Sequence, residues 1–68
     1  MNRASRMNDE QRIVYNTIRA AGNEGIWTKD LKKKTNLHIS VMNRALKMLE
    51  QKQEIKAIKH VKVIFCCD

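Results

Sequence analysis

Leu37-His38-Ile39-Ser40-Val41-Met42-Asn43-Arg44-Ala45-Leu46-Lys47-Met48-Leu49-Glu50-Gln51-Lys52 is the stretch whose periodicity decides the fold. At 3.6 residues per turn, Met42, Ala45, Leu46 and Leu49 fall at i, i+3, i+4 and i+7, one continuous apolar stripe for a core. Ser40, Asn43, Arg44, Lys47 and Gln51 form a second stripe on the opposite side. Every side chain in it hydrogen-bonds, two are cationic and none is acidic. Such a face suits insertion into a nucleic-acid groove, and it equally suits plain solvation, so the flanking sequence has to discriminate.

Upstream, Asn8 can cap a helix with Gln11 as its capping-box partner, and Asp9 and Glu10 place negative charge where the helix dipole favours it. This first helix is expected to bury Ile13, Val14, Ile18 and Ala21 and to end at Gly22. Residues 1–7 carry Arg3 and Arg6 without an apolar period and read as a disordered basic arm ahead of an ordered domain over 8–68. After the reversal at Gly22-Asn23-Glu24-Gly25, Ile26-Trp27 is long enough only to pair at a sheet edge. Trp27 is expected to anchor the core against the first and third helices and not to stack on bases, one aromatic being too few for a single-strand platform. Thr28 reads as the cap of a short second helix with Asp30 in its first turn and Lys32, Lys33 and Lys34 beyond, ending near Asn36; His38 or Ser40 caps the third. From Glu54 onward the period changes. Ile55, Ile58, Val61, Val63, Ile64 and Phe65 are rich in β-branched residues, with Lys56, Lys59 and Lys62 between them. The order is helix, short strand, helix, tight turn, helix, β ribbon, which describes an α+β winged helix-turn-helix with three helices and a small wing.

Sixty-eight residues make one small domain with no room for a large enzyme cleft. A formal charge of +7 favours a polyanionic partner: nucleic acid, an anionic membrane surface or an acidic protein patch. The membrane option fails on pattern, because no single helix carries the bulky apolar face that interfacial binding demands and no apolar run reaches the ~18 residues of a span. Cys66 and Cys67 are adjacent, so on a strand they point to opposite faces and suit neither an ordinary disulfide nor a shared metal. His38 and His60 have no partner at zinc-finger spacing. No carboxylate pair, Ser/His or Cys/His motif or glycine-rich phosphate loop appears, so no catalytic residue, metal, cofactor or small-molecule substrate is expected. With no signal-peptide pattern, a reducing compartment, cytosol or nucleus, is expected.

Two stretches, Asn8 to Tyr15 and Ala20-Ala21-Gly22-Asn23-Glu24-Gly25-Ile26-Trp27-Thr28-Lys29-Asp30-Leu31, resemble a winged-helix repeat of the TFIIE-related RNA polymerase III subunit family. The resemblance continues through Lys34 to Leu37, Asn43 to Glu50 and Ile55 to Lys59. Its most specific part is Ala-Gly-Asn-x-Gly-Ile-Trp, from Ala21 to Trp27. It implies a non-catalytic nuclear module of a subcomplex for promoter recognition and opening. The implied partners are duplex DNA read with weak sequence preference, other RNA polymerase III subunits and transcription factor IIIB. The chain departs from the family pattern in the wing: Ile58 to Val63 contains no Gly, Pro, Asn or Asp, which a two-residue hairpin favours at its turn. The chain is either a fragment of a longer subunit or a short diverged copy.

The candidate DNA contacts are Arg44 and Asn43, which can bond base edges in pairs, and Lys47 and Ser40, which more often meet phosphate. Lys32 and Lys33 lie on the helix that crosses the backbone in this motif, and one wing lysine, Lys59, joins them. Consecutive lysines point in several directions, so at most two of Lys32, Lys33 and Lys34 face one duplex. Lys56, Lys59 and Lys62 cannot share a strand face without a bend. Val41 and Met48, seven apart on the rim of the third helix, are candidates for a protein contact, with packing against the wing as the alternative. A second function class follows: a protein-docking module within the polymerase with no direct DNA role.

Overall fold

The computed structural model describes residues 9–67; the expected basic arm and the Asn8 cap lie outside the described residues. Helix α1 spans Asp9–Ala20, with Asp9 and Glu10 in its first turn and Arg19 in its last, the charge order that complements a helix dipole. A single 3₁₀ turn, Gly22–Glu24, follows, then strand β1, Ile26–Trp27. Helices α2, Thr28–Thr35, and α3, Ile39–Gln51, are joined by a tight turn, and strands β2, Ile55–Ile58, and β3, Val63–Cys66, make the wing. Both wing strands and β1 form one antiparallel sheet in the order β1-β3-β2. The α+β winged-helix fold read from the sequence is therefore the fold of the chain.

The core consists of Val14 and Ile18 of α1, Leu31 of α2, Met42, Ala45 and Leu49 of α3, and one inward residue from each strand, Ile26, Ile55 and Ile64. Leu46 packs against it from the side, half-buried. On α1 the inward stripe is Gln11, Val14 and Ile18, at i, i+3 and i+7, so Ile13 is turned about 100° away and is exposed rather than buried. Ala21, expected inside, is half-buried.

Left-handed residues punctuate the helices. Asn36, with φ 57°, ends α2 by donating its amide to the Lys32 carbonyl at 2.9 Å. At the end of α3, Gln53 has φ 61°; its amide donates to the Glu50 carbonyl and the Glu54 amide to the Leu49 carbonyl, both at 3.0 Å. That bond pair is a Schellman motif, in which the left-handed position normally falls to glycine. His38 caps α3, its Nδ1 accepting from the Ser40 amide at 3.1 Å, with the Ser40 hydroxyl 2.9 Å away. Thr28 does not cap α2: it is the first helical residue, and the capping position falls on Trp27, which makes no side-chain cap bond.

Register divides the sheet into two faces. Ile26, Ile64 and Ala57 lie in one row and Ile55 and Cys66 in the next, all facing the helices. The opposite face carries Trp27, Val63 and Ile58 in one row and Phe65 and Lys56 in the next. Trp27 is thus 60% exposed, not a core anchor, because neighbouring residues on a strand cannot both face inward and Ile26 takes the inner side. The wing closes through four residues, Lys59 to Lys62, between the paired Ile58 and Val63. No glycine is needed because the Val61 amide bonds back to Ile58 and the Lys62 amide to Lys59, while Lys62 itself takes a left-handed φ of 58°.

Gly25 has φ 75° and ψ −178°, a region open essentially to glycine alone, and a Cβ there would sit 2.6 Å from Phe65 Cε2 and 2.8 Å from Val63 Cγ1. Gly25→Ala is expected to cost about 2–4 kcal/mol, much of the stability of so small a domain, read as a lowered thermal midpoint by circular dichroism. Gln53→Gly is expected to act oppositely. Relieving the left-handed position in the Schellman motif should add about 0.5–1 kcal/mol, seen as a higher urea midpoint at constant m-value.

Candidate nucleic-acid interface

Ser40, Asn43, Arg44, Lys47 and Gln51 are all exposed, so the polar stripe of α3 faces water along its full length. The two flanks of α3 differ. On one, α3, the start of α2 and the wing enclose a groove of about 860 Å³. Its floor is apolar, including Met42, Leu46, Ile58 and Ile64. Asn43 and Lys47 from α3, Lys32 from α2 and Lys59 from the wing border it. Of the candidate DNA contacts, these four are brought together.

The groove also gathers two cations outside the chosen set, Lys29 at the start of α2 and Lys62 at the end of the wing turn. Lys62 belongs there because its left-handed backbone ends the turn and its carbonyl accepts from the Thr28 amide at 3.0 Å, joining the wing base to α2. Charge spacing alone does not reveal this, since the bend that joins Lys59 to Lys62 has no turn residue. Lys56 is separated from both, standing on the outer sheet face opposite Phe65. Lys29 has a weaker signal in the sequence: as the residue after the first helical position it lies beside the wing only once β1 has paired with β3. One acidic side chain, Glu50, also borders the groove.

Arg44 takes the other flank. With Ala45 and Met48 it borders a smaller hollow against Glu10 and Gln11 of α1. The helix geometry is ambivalent here, since Arg44 is about 40° from Met48 and about 60° from Lys47 at 100° per residue. Met48 is 38% exposed and Val41 half-buried. The hollow beside Met48 is shared with α1. Ser40 stands at the helix start, engaged with the His38 ring, and Lys33 is exposed on α2 without bordering the groove.

Among the described residues no group of three His, Cys, Asp or Glu side chains is placed to hold a metal ion, and no helix is long and apolar enough to cross a membrane. Cys66 and Cys67 are free thiols, both half-buried. The site is therefore a surface of hydrogen-bonding and cationic groups around an apolar groove, suited to holding an anionic polymer or an acidic partner.

Known proteins resemble this chain over most of its length. The RNA polymerase Rpc34 subunit family matches residues 1–64. The chain is 53% identical over 58 residues to a probable DNA-directed RNA polymerase III subunit rpc6 of Schizosaccharomyces pombe, an alignment covering 85% of this chain and 19% of that protein. It is 46% identical over 56 residues to the Saccharomyces cerevisiae subunit RPC6, covering 82% and 18%, and 45% identical over 53 residues to the Homo sapiens subunit RPC6, covering 78% and 17%. The chain thus spans about a fifth of the length of these curated relatives. A match of this extent, on a chain with this fold, shows that it belongs to the RNA polymerase Rpc34 subunit family.

Proposed function

We propose that the chain is a winged-helix module of an RNA polymerase III subunit, acting in transcription initiation by contacting duplex DNA and docking to initiation factors. Other subunits of that polymerase and transcription factor IIIB are its protein partners, the nucleus is its place, and its own role is non-catalytic. One observation carries the reading: α3 presents an exposed polar stripe without an acidic member, and Asn43 and Lys47 of that stripe border one groove with Lys32 and Lys59. Asn43 is the base-edge reader in this arrangement, and Lys47, Lys32 and Lys59 neutralise phosphates. Arg44 and Ser40, at the side and the start of the helix, and Lys33 on α2 extend the contact when the duplex lies along α3. Weak sequence preference follows, since most of these groups bond phosphate and few can reach base edges.

The alternative is a docking module without a DNA role, and the asymmetry of α3 supports it specifically. Met48 and Arg44 border a separate hollow on the α1 side, with Val41 on the same flank of the helix, where an adaptable apolar and cationic patch fits a protein surface.

A labelled random duplex titrated with the 68-residue chain separates the two readings by fluorescence anisotropy. If about four to six phosphates are neutralised, log affinity falls against log salt with a slope of about −4 to −5; a flat dependence removes the DNA role. Asn43→Ala/Lys47→Glu is expected to weaken duplex binding by about tenfold or more, the scale of one lost base contact plus a reversed phosphate contact. Arg44→Ala/Met48→Ala, which removes only a flanking cation, is expected to weaken duplex binding less than Asn43→Ala/Lys47→Glu and to abolish capture of partner subunits. The reverse pattern would exchange the roles of the two flanks.

A further inference from the structure

The helices cover one side of the sheet; on the other side stand Trp27, which is exposed, and half-buried Phe65, neither of which belongs to the helical core or lines the groove. Trp27 and Val63 are directly opposite one another across β1 and β3, and Phe65 lies two residues further along β3 on the same face, diagonal to Trp27. Lys56 stands directly opposite Phe65 on β2. Gly25 leaves room for the Phe65 ring, whose Cε2 would fall 2.6 Å from a Cβ at that position. The backbone is thus held in a glycine-only conformation where that ring lies over it. Trp27 is 60% exposed although tryptophan is the largest apolar side chain in the chain, and its strand has no neighbour beyond β3 among the described residues.

The chemistry of the surroundings selects the ligand. The one charged residue on the outer face is Lys56. Lys62 immediately precedes Val63 in the wing and Lys29 follows Trp27 by two residues, both exposed. Of the acidic residues nearest in sequence, Glu24 and Asp30 lie outside β1 on either side, and Glu54, half-buried, lies just before β2, two residues from Lys56. An apolar protein surface would gain nothing from lysine at that point, whereas aromatic faces beside lysine are the pairing that unpaired bases on a phosphate backbone require. A duplex cannot use them in the same way because its bases already stack on one another.

We propose that the outer face of the sheet, Trp27 and Phe65 with Lys56, binds single-stranded nucleic acid, the two rings stacking on successive bases and the lysine meeting the backbone. This site adjoins the groove beside α3, whose lining includes Val63, and goes beyond the duplex reading; its test rests on preference for single strands.

Trp27 is the only tryptophan in the chain, so its fluorescence reports directly on the face. The 68-residue chain is titrated with oligo(dT) and oligo(rU) of about 15 nucleotides, within the span one small domain covers, and with a duplex of equal length. Single strands are expected to quench Trp27 and the duplex to leave it nearly unchanged; whichever single strand acts at lower concentration assigns DNA or RNA. By anisotropy of labelled single strand, Trp27→Leu is expected to weaken binding about 5- to 100-fold, the range of one lost base–aromatic stack, while Trp27→Phe stays within a few-fold of the parent. Trp27→Leu should leave duplex affinity unchanged. Circular dichroism checks each fold, and Lys56→Glu, at an exposed position, serves if the tryptophan variant does not fold, with loss of single-strand affinity expected. Equal quenching by duplex and single strand would overturn the proposal. So would unaltered single-strand binding by Trp27→Leu, or by Lys56→Glu where that variant decides. Absence of any quenching would also overturn it and leave the face to a protein partner.

Discussion

Strand β3 is the constraint on which the rest of the molecule depends. It is the middle of the sheet, so every sheet hydrogen bond has β3 as one partner, and removing it leaves β1 and β2 with nothing to pair with. Ile64, fully buried at its centre, lies opposite Ile26 on one side and Ala57 on the other, and packs with the helical core. By holding β1, the strand also fixes the start of α2, because the pairing runs on through the Thr28 amide to the Lys62 carbonyl. The groove beside α3 exists for that reason: one wall is the wing, another is the start of α2, and β3 sets the distance between them.

The elements that depend on local chemistry are legible in the sequence. The two stripes of α3 fall where 3.6-residue periodicity puts them, with Met42, Ala45 and Leu49 buried and Ser40, Asn43, Arg44, Lys47 and Gln51 in water. The end of α2 at Asn36, the His38 cap and the edge pairing of Ile26-Trp27 are equally local, each set by one or two side chains. What is not legible depends on which side of an element meets its neighbour. Ile13 and Trp27 are apolar, and on residue type alone both belong in the core. Trp27 loses the inner side to Ile26 because adjacent residues on a strand face opposite ways, and Ile13 lies about 100° off the Gln11, Val14, Ile18 stripe that α1 turns inward.

The same distinction runs through the functional surface. Residue types along α3 announce a hydrogen-bonding cationic face, but the division of that face between two flanks is a tertiary fact. Arg44 lies between Lys47 and Met48 in helical angle, so only the placement of α1 and the wing shows that it borders the Met48 hollow and not the groove. Lys59 and Lys62 come together through a turn without turn residues, held by backbone bonds and one left-handed lysine. A reading from residue preference has no signal for such a turn, and so misses the gathering of wing cations that it produces.

The central place of β3 has a consequence for how the chain is made. Its two sheet neighbours both precede it in sequence, so during synthesis β1 and β2 leave the ribosome with unsatisfied edges and wait for the same later segment. The three helices, whose mutual contacts are closer in sequence, can associate beforehand. The wing pairing of β2 with β3 is local, across four residues, whereas β1 meets β3 only by closing a far longer stretch of chain. That long-range closure sets Trp27 beside Val63 and the start of α2 beside the wing, so the outer face and the groove both depend on it.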